Sequence, residues 1–303
     1  YLQFIVMSAG LLLVTFLILV NVGWSTLADT VATHFGAGGF NPFVNPELGF
    51  AYVMFNLIAQ FAVVLTWQTT IARVLAAKDT ETGRKVYTRT AFFFVARFVI
   101  PGLWGIAALA LLAPGVVGPN DLHAMPRLLA GMLPVGLMGI MVAAMLAAEM
   151  STDSSYMLTW GGIIYNDILR PVHQNRWSDR KGLLVNRIIV ALIGVFLLFY
   201  GLWYQLQGDL WSYLLVTGSI YLSSMSVLLI ACCYWKRANS WGAAAAIAVG
   251  ALIPITFLTL QQLPATAAFA ASVGPNRSGI AAFVGTALAM VVGSLLKPQR
   301  KEA

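Results

Sequence analysis

The sequence predicts an all-α fold, a polytopic bundle of membrane-spanning helices, and three observations carry that reading. Of its 303 residues, 59% are hydrophobic and only 10% charged, against roughly 45–50% and about 25% in an ordinary soluble domain. Mean hydropathy is +0.81. The apolar residues gather into eight runs, each about as long as or longer than the ~20 residues a helix needs to cross a bilayer, with most charges in short connections between them. A disordered, collagen-like or disulfide-stapled chain is excluded. The two cysteines, Cys232 and Cys233, are adjacent inside an apolar run. That placement disfavours a disulfide and predicts small buried apolar groups.

The spans run in order. The first, Tyr1–Gly23, is apolar from its first residue. It shows neither the basic start nor the small-residue cleavage site of a signal peptide. The chain is therefore expected to begin inside a helix of a longer protein. A polar, Gly- and Pro-containing loop, Ser25–Glu47, leads to the second span, Phe50–Ala72. The third, Val86–Ala113, contains Pro101–Gly102, where the missing backbone donor should interrupt and kink it. The fourth, Leu133–Asp167, is longer than a bilayer requires and should protrude as a helix that stops near Asn166–Pro171. Leu184–Leu206 and Leu210–Tyr234 follow. Gly242–Leu263, with Pro254 as a second expected kink, and Ser278–Leu296 complete the set.

Net charge is +7. The cations form no long basic stripe, so the partner they fit is the lipid bilayer and its anionic surface, not nucleic acid. Their distribution gives an orientation. Fourteen of the 18 Lys and Arg lie in alternate connections: Lys78, Arg84, Lys85 and Arg89; Arg170, Arg176, Arg180, Lys181 and Arg187; Lys236 and Arg237; Lys297, Arg300 and Lys301. The opposite connections hold Arg127 and Arg277, and Arg73 and Arg97 lie in or at the ends of spans. Cytoplasmic loops carry the excess of Lys and Arg. The fourteen are thus predicted to be cytoplasmic, with the C-terminus, in a multi-pass protein of the cell (inner) membrane.

Most spans are uniformly apolar. The fourth is not: from Ala147 to Tyr156 it reads Ala-Ala-Glu-Met-Ser-Thr-Asp-Ser-Ser-Tyr. Ionisable groups inside a membrane are costly and generally mark an ion or substrate route. Ala148, Ser151, Thr152 and Ser155 fall at i, i+3, i+4 and i+7 and share one helix face. Two hydroxyls and an approachable alanine carbonyl offer hard neutral oxygens, which suit Na+ better than zinc or copper. Such hydroxyls also bond back to carbonyls or join helices, and both readings stay open. Glu149 and Asp153 lie one turn apart, roughly 120° around the helix from Ser151. Arg97, near mid-membrane, would need a carboxylate if buried. A structural Arg97–Asp153 or Arg97–Glu149 pair is expected; the sharper reading has one carboxylate bind a proton or second cation.

The run Ala147–Ser155, continuing to Asn166-Asp167-Ile168, resembles the ion-binding helix of the sodium/solute symporter family. So do Arg73-Val74-Leu75-Ala76-Ala77-Lys78, Tyr1-Leu2-Gln3, and Tyr234-Trp235-Lys236-Arg237 followed by Gly242-Ala243. The resemblance implies two inverted five-helix repeats of the leucine-transporter type, with peripheral helices added. On that mapping the chain is one transmembrane domain over residues 1–303, comprising core helices five to ten plus two more and lacking core helices one to four. It implies a Na+ site built from the Ala148 carbonyl and the Ser151 and Thr152 hydroxyls, completed by helix one. A possible second cation would use Ser154 and Ser155, with an aspartate just before Tyr1.

The positions matching the family's sugar contacts are Gln60, Val63, Phe94 and Leu214 or Leu215, and only Gln60 is polar. Each sugar hydroxyl left unpaired there would cost about 1–3 kcal/mol. The solute is therefore expected to be small and organic, not a hexose, with an amino acid or carboxylate fitting better. Gln60 reads equally as a helix–helix hydrogen bond.

No catalytic constellation is seen. His34, His123 and His173 are far apart, there is no P-loop, and Glu149 and Asp153 on one helix are a poor acid dyad. The implied function is Na+-coupled symport with no organic cofactor. The alternative is a transporter-like solute-sensing module of a signalling receptor, which the short basic tail Lys297–Ala303 disfavours.

Overall fold

The computed structural model describes residues 2–46, 48–112, 122–173, 177–203 and 210–297. Of the residues named above, Tyr1, Glu47, Ala113, Arg176, Leu206, Arg300, Lys301 and Ala303 fall outside them. No strand occurs among the described residues, and eight helical segments are long and apolar enough to cross a membrane. The protein is an all-α, multi-pass membrane bundle.

In chain order the helices are α1 (Leu2–Asn21), α2 (Trp24–Phe35), α3 (Gly49–Thr66), α4 (Gln68–Leu75), α5 (Thr80–Leu111), α6 (Ala124–Met132), α7 (Val135–Ile163), α8 (Arg170–Val172), α9 (Asp179–Trp203), α10 (Leu210–Tyr234), α11 (Ser240–Gln262), α12 (Ala267–Val273) and α13 (Pro275–Leu296). Each expected span has its counterpart, and Leu210–Tyr234 agrees at both ends.

Three differences have physical reasons. The expected loop Ser25–Glu47 holds α2, whose Leu27 and Val31, one turn apart, are buried. Gly23 between α1 and α2 adopts φ +80°, a conformation an L side chain rarely tolerates, so the chain turns there. The second span is broken: α3 ends at Trp67, whose φ −66° and ψ 110° are extended, and α4 begins at Gln68. The third span starts six residues early because Asp79 caps it, its carboxylate accepting from the Thr82 N–H at 2.7 Å. The fourth passes through a π-helical turn, Ile164–Leu169, into α8 and ends at Val172, next to the expected stop near Asn166–Pro171. Neither Pro101 nor Pro254 ends its helix; α5 and α11 run on past them.

The chain divides into two compact units, residues 1–33 with 72–205, and 34–71 with 206–303. In the first, Val14 and Ile18 of α1 are buried with Trp104, Ala107 and Ala108 of α5, Leu128 and Leu129 of α6, and Met141 of α7. The Trp104 indole N–H donates to Thr15 Oγ1 at 3.0 Å, which satisfies its one donor inside the core.

In the second unit, α10, α11 and α13 pack closely, and α3 lies against α10 and α13. Small residues permit this approach, as is general for helices in lipid. A Cβ at Gly242 would strike the Met290 carbonyl, one at Gly250 would sit 2.8 Å from Ser223 Oγ, and one at Gly279 would enter the Phe55 ring. Phe55, Val216, Leu222 and Phe283 fill the space between. Cys232 and Cys233 are free and exposed near the end of α10, not buried as their apolar run predicts. Being next to one another on a helix, they project about 100° apart and both escape the packed face.

Candidate functional site

The polar run of the fourth span lies well inside α7. Its hydroxyls form a repeating ladder. Ser151 Oγ and Thr152 Oγ1 both donate to the Ala148 carbonyl, at 2.8 and 3.1 Å. One turn on, Ser154 Oγ and Ser155 Oγ both donate to the Ser151 carbonyl, at 3.2 and 2.8 Å. Thr159 Oγ1 repeats the step to Ser155 O at 2.8 Å. The back-bonding reading is thus the observed geometry, and it is compatible with ligation. A hydroxyl has one proton and two lone pairs. With the proton turned toward the helix, the lone pairs remain for a cation, and Ser151 and Thr152 are exposed.

Ser155, half-buried, has a further partner. Arg73 Nη2, on α4, donates to Ser155 Oγ at 3.0 Å. Sequence spacing places Arg73 only at the end of a span; nothing in the linear order pairs it with a residue 82 positions away.

The expected ion pair of Arg97 with Asp153 or Glu149 is not formed. The ion pairs among the described residues are Lys85–Glu81 at 2.6 Å and Lys78–Asp79 at 3.8 Å, both on the surface. The expectation assumed a buried guanidinium. Residues 91–99 of α5 are all exposed, and no carboxylate packs against Arg97 among the described residues. Its guanidinium carbon instead stands 5.2 Å from the centroid of the Phe94 ring. Glu149 is exposed and Asp153 half-buried.

Gln60 and Val63 lie on α3, in the second unit. Both are half-buried, and Val63 packs on the Phe55–Leu222 core. Gln60 makes no hydrogen bond among the described residues, so the helix–helix alternative for it is not realised there. Phe94 belongs to the first unit and is 40% exposed. Of the two alternatives on α10, Leu215 is buried in the core and Leu214 is exposed.

The break after α3 is held by residues that composition does not single out. Tyr221 Oη donates to the Thr66 carbonyl at 3.0 Å and accepts from Gln68 Nε2 at 3.2 Å. Farther along the same helix pair, the Trp211 indole N–H donates to Asn56 Oδ1 at 2.9 Å. A helix broken within a span strands backbone groups that water cannot reach, so side-chain partners are required. Tyrosine in an apolar span was the available signal. No cluster of His, Cys, Asp and Glu suited to a transition metal occurs among the described residues.

Eight apolar helical segments among the described residues, a break within one of them and a ladder of hydroxyls inside another describe a polytopic membrane protein. The family model described as the sodium:solute symporter family matches residues 1–250, and the chain belongs to that family. It is 29% identical to the sodium/myo-inositol cotransporter 2 of Sus scrofa over 219 residues, covering 65% of this chain and 31% of that protein. To the same-named protein of Rattus norvegicus it is 33% identical over 146 residues, 48% of this chain and 21% of that one. To the osmoregulated proline transporter OpuE of Bacillus subtilis (strain 168) it is 27% identical over 198 residues, 63% and 38% respectively. The matched stretch of the chain therefore spans 21% to 38% of the length of these relatives.

Proposed function

We propose that the protein is a secondary active transporter that couples inward movement of Na+ to symport of a small organic solute across the cell membrane. The observation that carries this is the ladder on α7: Ser151 and Thr152 turn their protons onto Ala148 O and leave hydroxyl lone pairs exposed within an apolar span. Membership of the sodium:solute symporter family supports it, as do relatives named as cotransporters and transporters; the sensing-module alternative has no such support.

In this reading Ala148, Ser151 and Thr152 supply part of the Na+ shell, and helices preceding this chain in the family's core supply the rest. Residues 1–303 form a single transmembrane domain covering core helices five to ten with two peripheral helices. The chain performs no covalent chemistry and uses no organic cofactor. The cation-rich connections and the C-terminus face the cytoplasm.

For the solute, the relatives name a polyol and an amino acid. Gln60, with a free amide beside Val63, offers two donors and one acceptor against an apolar wall. A full ring of hydroxyls would leave several groups unpaired there. An amino acid or carboxylate suits this helix face better, and a hexose least. Uptake into proteoliposomes, with radiolabelled proline and myo-inositol compared under an inward Na+ gradient and an equal K+ gradient, tests the reading. Na+-dependent, saturable uptake is expected, with proline the better solute. Equal uptake in both gradients overturns Na+ coupling.

A further inference from the structure

Arg73 touches the hydroxyl ladder that carries the proposed Na+ ligands. Its Nη2 donates to Ser155 Oγ at 3.0 Å, and the Ser155 proton is already engaged with Ser151 O at 2.8 Å. Ser155 thus presents its lone pairs to a positive charge, as a cation-binding hydroxyl does, but that charge is tethered to α4. Ser155 lies one helical turn, ~5.4 Å, beyond Ser151 on the face that also carries Ala148 and Thr152. We propose that Arg73 is a positioning residue of the cation site: a tethered cation that takes the place of a second free cation at Ser155 and weakens Na+ binding at Ser151 and Thr152.

The inference rests on the proposed Na+ site and adds a control on its affinity and stoichiometry. Like charges about one to two turns apart repel, and in a partly desolvated span this is screened less than in bulk water. Arg73 is exposed, so the guanidinium has room to leave Ser155. A site weakened in this way releases its ion more readily where Na+ is scarce.

Equilibrium binding of radiolabelled Na+ to the purified carrier, expressed from its whole reading frame and without solute, tests this. Wild type is expected to bind one Na+ per carrier. Arg73→Gln should bind Na+ on the order of 3- to 10-fold more tightly, and Arg73→Lys, which keeps the charge, should stay near wild type. Ser155→Ala removes the seat of the guanidinium and should also tighten binding while leaving the stoichiometry at one. A purely structural arginine would instead weaken binding when removed, and lysine would rescue it poorly. Unchanged or weaker binding by Arg73→Gln at normal thermal stability overturns the proposal. If that variant does not fold, Ser155→Ala decides: weaker Na+ binding by it, or two Na+ bound by wild type of which it loses one, would make Ser155 an ion ligand and overturn the proposal. Absence of Na+ binding by wild type itself would be the failure of the Na+-site reading, read separately in the unmutated protein.

Discussion

The Tyr221 hydroxyl donates to the carbonyl of Thr66 at 3.0 Å, joining residues 155 positions apart exactly where the second span is broken. Helix α3 stops there because Trp67 is extended, and α4 resumes with Gln68, whose amide donates to the same hydroxyl at 3.2 Å. One side chain from α10 thus meets both lips of the break, and its ring packs on the core of the second unit.

Tyr221→Phe keeps the ring and removes the hydroxyl. The Thr66 carbonyl then loses a partner within an apolar span, at a cost of about 1–3 kcal/mol for an unsatisfied buried group. Thermal unfolding in detergent should show a midpoint lowered by several degrees, with transport reduced in step. An unchanged midpoint and unchanged transport would show that the hydroxyl has no part in holding the break.

Ser151→Ala and Thr152→Ala each delete an oxygen whose lone pairs are exposed on α7. Alanine is a better helix former than either, so the helix should persist. Hydrogen-bond-type interactions with a charged group are worth ~1.5–3 kcal/mol. The Na+ concentration for half-maximal uptake should therefore rise about 10-fold or more, at near-normal expression. A double variant with unchanged Na+ dependence would remove these residues from the ion site.

Gln60→Ala separates solute from ion. The amide has no partner among the described residues, so its loss should cost little stability. Solute KM should rise roughly 3- to 10-fold, the equivalent of one neutral hydrogen bond, with the Na+ requirement little changed. Glucose and galactose should not compete with the transported solute. Strong competition by either sugar, or a normal KM in the variant, would remove Gln60 and its apolar surroundings from the recognition site.

Topology is tested by single cysteines. Cys232 and Cys233 are exposed, so both must first be replaced. A Cβ at Gly38 would sit 2.8 Å from the Asn45 Cα, which makes that position unsuitable; Ala37 is exposed and serves instead. With Ser178→Cys and Ala37→Cys, an impermeant thiol reagent should label Ala37→Cys from outside intact cells and Ser178→Cys only after permeabilisation. Labelling of Ser178→Cys from outside would reverse the orientation.

The sequence alone was enough to show eight membrane-spanning helical segments, which the described residues contain, and which of them is unusual. Both follow from transfer free energies that act locally: ~20 apolar residues must bury in lipid, and seven polar side chains in ten cannot sit there without a reason. The 3.6-residue period likewise put Ala148, Ser151, Thr152 and Ser155 on one face, where the hydroxyl ladder is found. Tertiary structure alone decided what those groups meet. Arg97 was assigned a carboxylate because mid-span arginine was assumed to be buried, and burial depends on neighbours that linear spacing does not supply. The same holds for Arg73 on Ser155, for Tyr221 on Thr66, and for the two cysteines that turn away from the packed face of α10. Lipid tolerates any arrangement of apolar surface, so composition fixes the spans but not their partners. Packing of small residues and the demand that every stranded polar group find a donor or acceptor select which helices touch.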